Sequence, residues 1–212
     1  GGVTDRMEAI DAGYHVGKEC GSKLKVIRFK DRGLNCRFDQ LFQHPTDPII
    51  TIQEARPCDL LLEDRPRKKN FFLPWLPEHL KYDACIYERQ ATQLFYNHFD
   101  YAAWAKGRKV YLASCVYFYP QPHDKLFKLF KPIASLQQRI DACSEHFNEH
   151  TIGIHIRRTD NIASITQSPT ELFIKQMEEF VEHQPDTTFY LATDSEEEKQ
   201  KLKQVFGERI SM

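Results

Sequence analysis

Between residues 151 and 206 the chain alternates short β-branched apolar runs with capped amphipathic stretches, and few folds accommodate that alternation. Thr151-Ile-Gly-Ile-His-Ile156 and Thr188-Phe-Tyr-Leu-Ala192 have strand length. Apolar runs of this kind with polar flanks mark strands buried in an α/β sheet. After a polar loop, Ser168-Pro169-Thr-Glu171 matches a capping box with proline at the first helical position. A helix is predicted over 169–183, broken by Gln184-Pro-Asp186, and Ser195 with Glu198 caps a last helix that stops at Gly207. Strand, helix, strand, helix implies parallel strands with right-handed crossovers. The polar strand ends 155–160 and 193–195 then face one crevice.

Open α/β sheets bind ligands outside the carboxyl ends of their strands. Arg157 and Arg158 fall at such an end, and guanidinium groups offer planar forked donors that suit phosphate. On a strand His155 and Arg157 point to one face and Arg158 to the other. A surface salt-bridge cluster with Asp160 is the competing reading. Against it, a strand buried on both faces tolerates arginines only where a partner compensates their charge. Thr193-Asp194 fits equally well as a cap for the following helix or as a nucleoside contact. The Gly1-Gly2-Val-Thr-Asp5 turn is too short for a dinucleotide fingerprint, and a plain strand-to-helix turn explains it as well. His146, His150 and His155 do not make a metal site by pattern, since Phe147 stands where a zinc protease carries Glu. No metal is expected.

Elsewhere, Asp5 with Glu8 has capping spacing, Met7, Ile10, Tyr14 and Val16 are near helical spacing, and Gly21 stops that helix. Strands are predicted at Leu24 to Phe29 and at Lys109 to Phe118, with a helical pattern over 133–150 through Leu136, Ile140, Cys143 and Phe147. Residues 43–82 hold over half of the eleven prolines and the basic patch Arg65-Pro-Arg-Lys-Lys69, and read as an irregular insertion. A net charge of −1 gives no global attraction to nucleic acid, so any anion site must be local. No apolar run reaches membrane-spanning length. The six scattered cysteines, none in a C-x-x-C pair, suit reduced thiols in a cytoplasmic protein, free or peripheral to a membrane.

Gly153-Ile-His-Ile-Arg-Arg-Thr-Asp160 resembles the first signature motif of the α1,6-fucosyltransferase family, which includes bacterial nodulation and animal core fucosyltransferases. Phe189-Tyr-Leu-Ala-Thr-Asp194 resembles the family's following strand, and the Gly2 turn its first glycine-containing turn. The resemblance implies an α/β, GT-B-like architecture of two Rossmann-like lobes. Residues 1–150 would form an acceptor-side lobe with its irregular insertion at about 43–82. Residues 151–212 would be the first half of a nucleotide-sugar lobe, truncated at its C-terminus, so the chain is expected to be a fragment. The resemblance further implies metal-independent, inverting transfer of fucose from GDP-fucose to a glycan acceptor. By the match Arg157 would hold the β-phosphate of the leaving GDP and Arg158 would assist or fix the loop. His155, Asp160 and Asp194 would line the nucleotide site, with Gly2 and Asp5 contributing from the first turn.

Two departures stand out. Asn161 replaces the lysine that core fucosyltransferases carry after the motif, and the loop 161–168 contains no carboxylate. The general base is therefore unassigned, with a phosphate oxygen or a residue beyond Met212 as the options. The alternatives are a non-catalytic nucleotide- or glycan-binding α/β protein, or another phosphate-handling α/β transferase.

Overall fold

The computed structural model describes residues 2–30, 34–59, 72–114, 117–120, 126–159 and 162–212. The chain divides into two compact units, Gly1–Gln137 and Gln138–Met212. The division falls ahead of the 150/151 boundary read from the sequence, within a helix.

In the first unit α1 (Val3–Cys20) leads to β1 (Leu24–Arg28) and β2 (Ile50–Glu54), which pair in parallel. The helix starts ahead of Asp5, whose carboxylate instead accepts the Gly2 N–H at 2.9 Å as the third residue of the first turn. Gly21 closes it in the left-handed conformation at φ 69°, where a side chain would be strained. The unit continues through α2 (Phe72–Lys81), β3 (Ala84–Ile86), α3 (Glu88–Tyr96), α4 (Tyr101–Ala105), β4 (Val110–Leu112) and α5 (Leu126–Leu129), with β3 and β4 again parallel. Segment 43–82 is thus not an irregular insertion throughout, since β2 and α2 lie within it. The prolines misled because Pro45 and Pro48 precede the strand rather than interrupt it. The strand expected over 109–118 is confined to β4 among the described residues.

Helix α1 serves two apolar clusters. Ala12 and Val16 pack with Ile86, Ala91, Tyr101, Ala105 and Phe118, while Met7 joins Phe38, Ile50, Ile52 and Phe130. At the carboxyl ends of β1 and β2, Arg28 and Glu54 are register partners. Their ion pair measures 3.1 Å, with Arg28 6% and Glu54 30% exposed. Arg28 also donates to the Cys36 carbonyl at 2.7 Å, and Glu54 accepts the Phe38 N–H at 2.6 Å.

Helix α6 (Ala134–Ser144) precedes the second unit's sheet. That sheet runs β5 (Thr151–Ile156), β6 (Thr188–Thr193), β7 (Ile210–Ser211) in spatial order, all parallel. Between β5 and β6 lie α7 (Ile162–Gln167) and α8 (Thr170–His183); α9 (Glu196–Phe206) joins β6 to β7. The short α7 replaces the polar loop expected there. Ser168 does not cap α8, whose first turn follows Pro169 instead, whereas Ser195 does cap α9, accepting the Glu198 N–H at 3.3 Å. Ile156, Met177, Phe189, Leu191, Leu202 and Ile210 form the core of this unit. Burying each side chain the size of Leu202 or Phe189 contributes about 1.5–3 kcal/mol. The other sheet face carries Gly153 and His155 on β5 opposite Tyr190 and Ala192 on β6, and Gly153, His155 and Ala192 are exposed.

Glu54→Ala strands the buried Arg28 cation and leaves the Phe38 N–H without its acceptor. It is expected to destabilise the protein by about 2–3 kcal/mol, read as a lower urea midpoint at unchanged slope.

Candidate nucleotide-binding site at the ends of β5 and β6

Parallel register sets the site. Ile156 pairs with Thr193, so both strands end level, and the residues after them form one rim. An open crevice of about 460 Å³ lies there, lined by His155, Arg157, Thr159, Ala192, Thr193 and Asp194. Alternation explains the set: 155, 157 and 159 share one side of the strand direction, as 192 and 194 do.

Arg158 turns the other way. Its guanidinium donates to Glu198 at 3.3 Å, Thr170 Oγ1 at 3.1 Å, the Ser168 carbonyl at 2.9 Å and the Arg157 carbonyl at 3.2 Å. The Phe173 ring lies 5.9 Å from its Cζ. Thr170 Oγ1 donates in turn to Glu198 at 2.7 Å. Arg158 and Glu198 are each 13% exposed, a paired charge at the edge of the core. The Arg158 side chain therefore fixes the loop and does not line the crevice.

Asp194 neither caps α9 nor holds its carboxylate free for a ligand. It accepts the Arg158 N–H at 2.7 Å, the Thr159 N–H at 3.3 Å and the Thr159 hydroxyl at 2.6 Å. These donors, the Thr159 hydroxyl foremost, hold its carboxyl below the usual aspartate range. The loop bearing Arg157 is thus latched twice, by Asp194 from β6 through its main chain and by Glu198 from α9 through the Arg158 side chain.

Among the described residues lining the crevice, Arg157 is the exposed cation, beside His155. The N-terminus of α9 is no rival anion site, because Glu196, Glu197 and Glu198 fill its first turn and oppose an incoming phosphate. His150 pairs with Asp186 at 3.2 Å. Among the described residues no cluster of three or more His, Cys, Asp or Glu could hold a metal.

Of the residues singled out in the sequence, His155, Arg157 and Asp194 meet at the crevice. Asp160, Asn161 and the 65–69 patch lie outside the described residues. Gly2 and Asp5 belong to the first unit, where they bond to each other across the first turn of α1. Thr159, Thr170 and Glu198 escaped the sequence reading. Thr170 and Glu198 looked like helix-start chemistry, and no local signal shows that two helix starts converge on one arginine.

No protein-family model and no curated protein matches the sequence. Solved structures do. The fucosyltransferase NodZ from Bradyrhizobium superposes with a TM-score of 0.60 at 15% identity, over 99% of this chain and 74% of that one. The chain has that fold. NodZ α-1,6-fucosyltransferase soaked with GDP-fucose gives a TM-score of 0.61 at 14% identity, over 99% of this chain and 73% of the other. The same enzyme co-crystallised with GDP gives 0.57 at 16%, over 99% and 74%. The α/β, GT-B-like class with parallel sheets expected from the sequence is the class these structures share. No described helix is long and apolar enough to cross a membrane.

Asp194→Ala should release the loop, seen as faster hydrogen exchange at the Arg158 and Thr159 amides; unchanged protection would refute the latch. Because the folded-state pKa of Asp194 is depressed, its stabilisation is complete above the unfolded-state value and lost as pH falls through the folded one. Protection at these two amides should accordingly fall on acidification, and that acid response should be absent in Asp194→Asn.

Proposed function

We propose that this chain belongs to a metal-independent, inverting fucosyltransferase that takes fucose from GDP-fucose and delivers it to a glycan acceptor. The observation that carries the reading is the split of the arginine pair at the end of β5. Arg157 is exposed on the crevice rim, while Arg158 is consumed in holding the loop that presents it. Likeness of fold to a fucosyltransferase solved with GDP and with GDP-fucose supports it.

Fucosyl transfer breaks the bond from the anomeric carbon to the β-phosphate oxygen, and negative charge develops on the departing diphosphate. A fixed guanidinium donates more strongly as that charge grows, so it binds the transition state better than the ground state. The latches matter because preorganised donors cost no reorganisation during reaction. Arg157 would take the β-phosphate. His155, on the same face one alternation earlier, would lie against the nucleotide. Asp194 would complete the rim through the loop conformation it imposes, and Asp160 would be a further nucleotide contact. A metal has no assigned task, since the guanidinium supplies the leaving-group charge compensation.

One observation favours a second reading. The segment 161–168 has no carboxylate to deprotonate an acceptor hydroxyl, which suits a nucleotide- or glycan-binding protein without turnover. The donor reading and this alternative share the GDP site and part at catalysis.

Calorimetric titration with GDP should show binding that Arg157→Ala weakens by about 10–100-fold, while Arg157→Lys restores only part because it loses the forked donor geometry. GDP affinity unaffected by Arg157→Ala would overturn the site assignment. GDP release from GDP-fucose, measured with a panel of glycan acceptors, separates transferase from binder; tight GDP binding without acceptor-dependent release would select the second reading.

A further inference from the structure

The first unit contains a second cavity, of about 310 Å³, that the transferase reading does not use. Helix α1 supplies Asp11, Tyr14, His15 and Lys18, the segment 43–47 supplies another wall, and Lys128, Leu129 and Lys131 close it. Residues 43–47 run into β2, and the C-terminal half of α1 runs into β1. The cavity therefore opens at the amino ends of this strand pair, opposite Arg28 and Glu54.

Its groups fall into two sets. Around the cavity, Lys18, Lys128 and Lys131 are exposed ammonium groups. Lys128 and Lys131 have no acidic partner among the described residues, and Lys18 lies over the Tyr14 ring, 4.9 Å from its centroid. One cavity carboxylate is already occupied: Asp47 accepts the Tyr14 hydroxyl at 2.5 Å and the Ile49 N–H at 2.9 Å. The other is not. Asp11 is 4% exposed, lines the cavity, and has His15 Nε2 at 3.7 Å as its ion-pair partner. That distance is too long for a hydrogen bond. Burial raises its carboxyl above the ordinary value, with His15 opposing the rise. Asp11 lines the cavity, and a hydroxyl of a ligand seated there can donate to its carboxylate.

We propose that this cavity binds a small hydroxylated dianion of the sugar-phosphate class. The lysines match a doubly charged phosphate better than a single carboxylate, which would leave ammonium charge uncompensated. Asp11 takes a ring hydroxyl. Gln43 donates its amide N–H to the Pro132 carbonyl at 2.8 Å, which orients its amide oxygen as a second hydroxyl acceptor. Leu129, Pro45 and the Tyr14 ring supply apolar surface for the C–H face of a sugar, and the volume falls in the range of small-molecule sites.

The test is calorimetry on the full chain with glucose 6-phosphate as probe and glucose and inorganic phosphate as comparators, each titrated with and without saturating GDP. Saturable glucose 6-phosphate binding is expected, about tenfold or more tighter than either comparator. Lys128→Glu with Lys131→Glu should weaken it by about tenfold or more. Asp11→Asn should narrow the gap between glucose 6-phosphate and phosphate, because its change of charge acts on both phosphates while the loss of a carboxylate acceptor weakens only the hydroxylated one. The lysines are exposed, so matching thermal melts will show that those variants fold. Absence of saturable binding would overturn the proposal, as would indifference to the lysine pair, displacement by GDP, or phosphate binding as tightly as the sugar phosphate. Arg157→Ala should leave this binding unchanged, so failure here and failure of the GDP site are separately visible.

Discussion

A parallel strand pair cannot be closed by a tight turn, and most of what the second unit offers follows from that constraint. With β5, β6 and β7 parallel and in sequential order, α8 and α9 pack on one face, where Met177 and Leu202 join the apolar residues of the strands. That face becomes the core. The opposite face keeps small or polar residues, Gly153, His155 and Ala192, in the open. The level ending of β5 and β6 does the rest, bringing the residues after each strand within hydrogen-bonding reach across the ladder.

Two adjacent arginines then acquire unlike physics. Arg158 is drawn towards the helix side, where an unpaired cation would be expensive, and Glu198, Thr170 and the Ser168 carbonyl neutralise and saturate it. Arg157 stays at the rim. The cost of burying one charge is thereby converted into a fixed position for the other. Asp194 reinforces this from the main chain, and its depressed pKa is the electrostatic trace of that effort.

What the sequence disclosed tracks how local each cause is. The strands at 151–156 and 188–193 were legible because their periodicity is contained in their own residues. So was the cap at Ser195, where side chain and amide are three residues apart. The start of α1 and the cap of α8 were misread because Asp5 and Ser168 have capping chemistry that competing neighbours displaced. Strand β2 was hidden among prolines that lie beside it. The Arg158–Glu198–Thr170 cluster was illegible for a stronger reason: its members are separated by up to forty positions and meet through tertiary packing alone. Seeing that Arg157 and Arg158 face opposite ways needed strand alternation; seeing what holds Arg158 needed the fold.

The alternation at the end of β5 also sets how this segment can tolerate length change. Inside and outside are assigned by counting from Ile156, so parity decides which arginine meets water. An inserted or deleted residue between Ile156 and Thr159 would exchange the two roles, aiming a rim cation at the core and withdrawing the one that Glu198 requires. The segment can absorb substitutions singly, each with its own cost, but it cannot absorb a frame shift of one. Length here is as much a part of the site as composition.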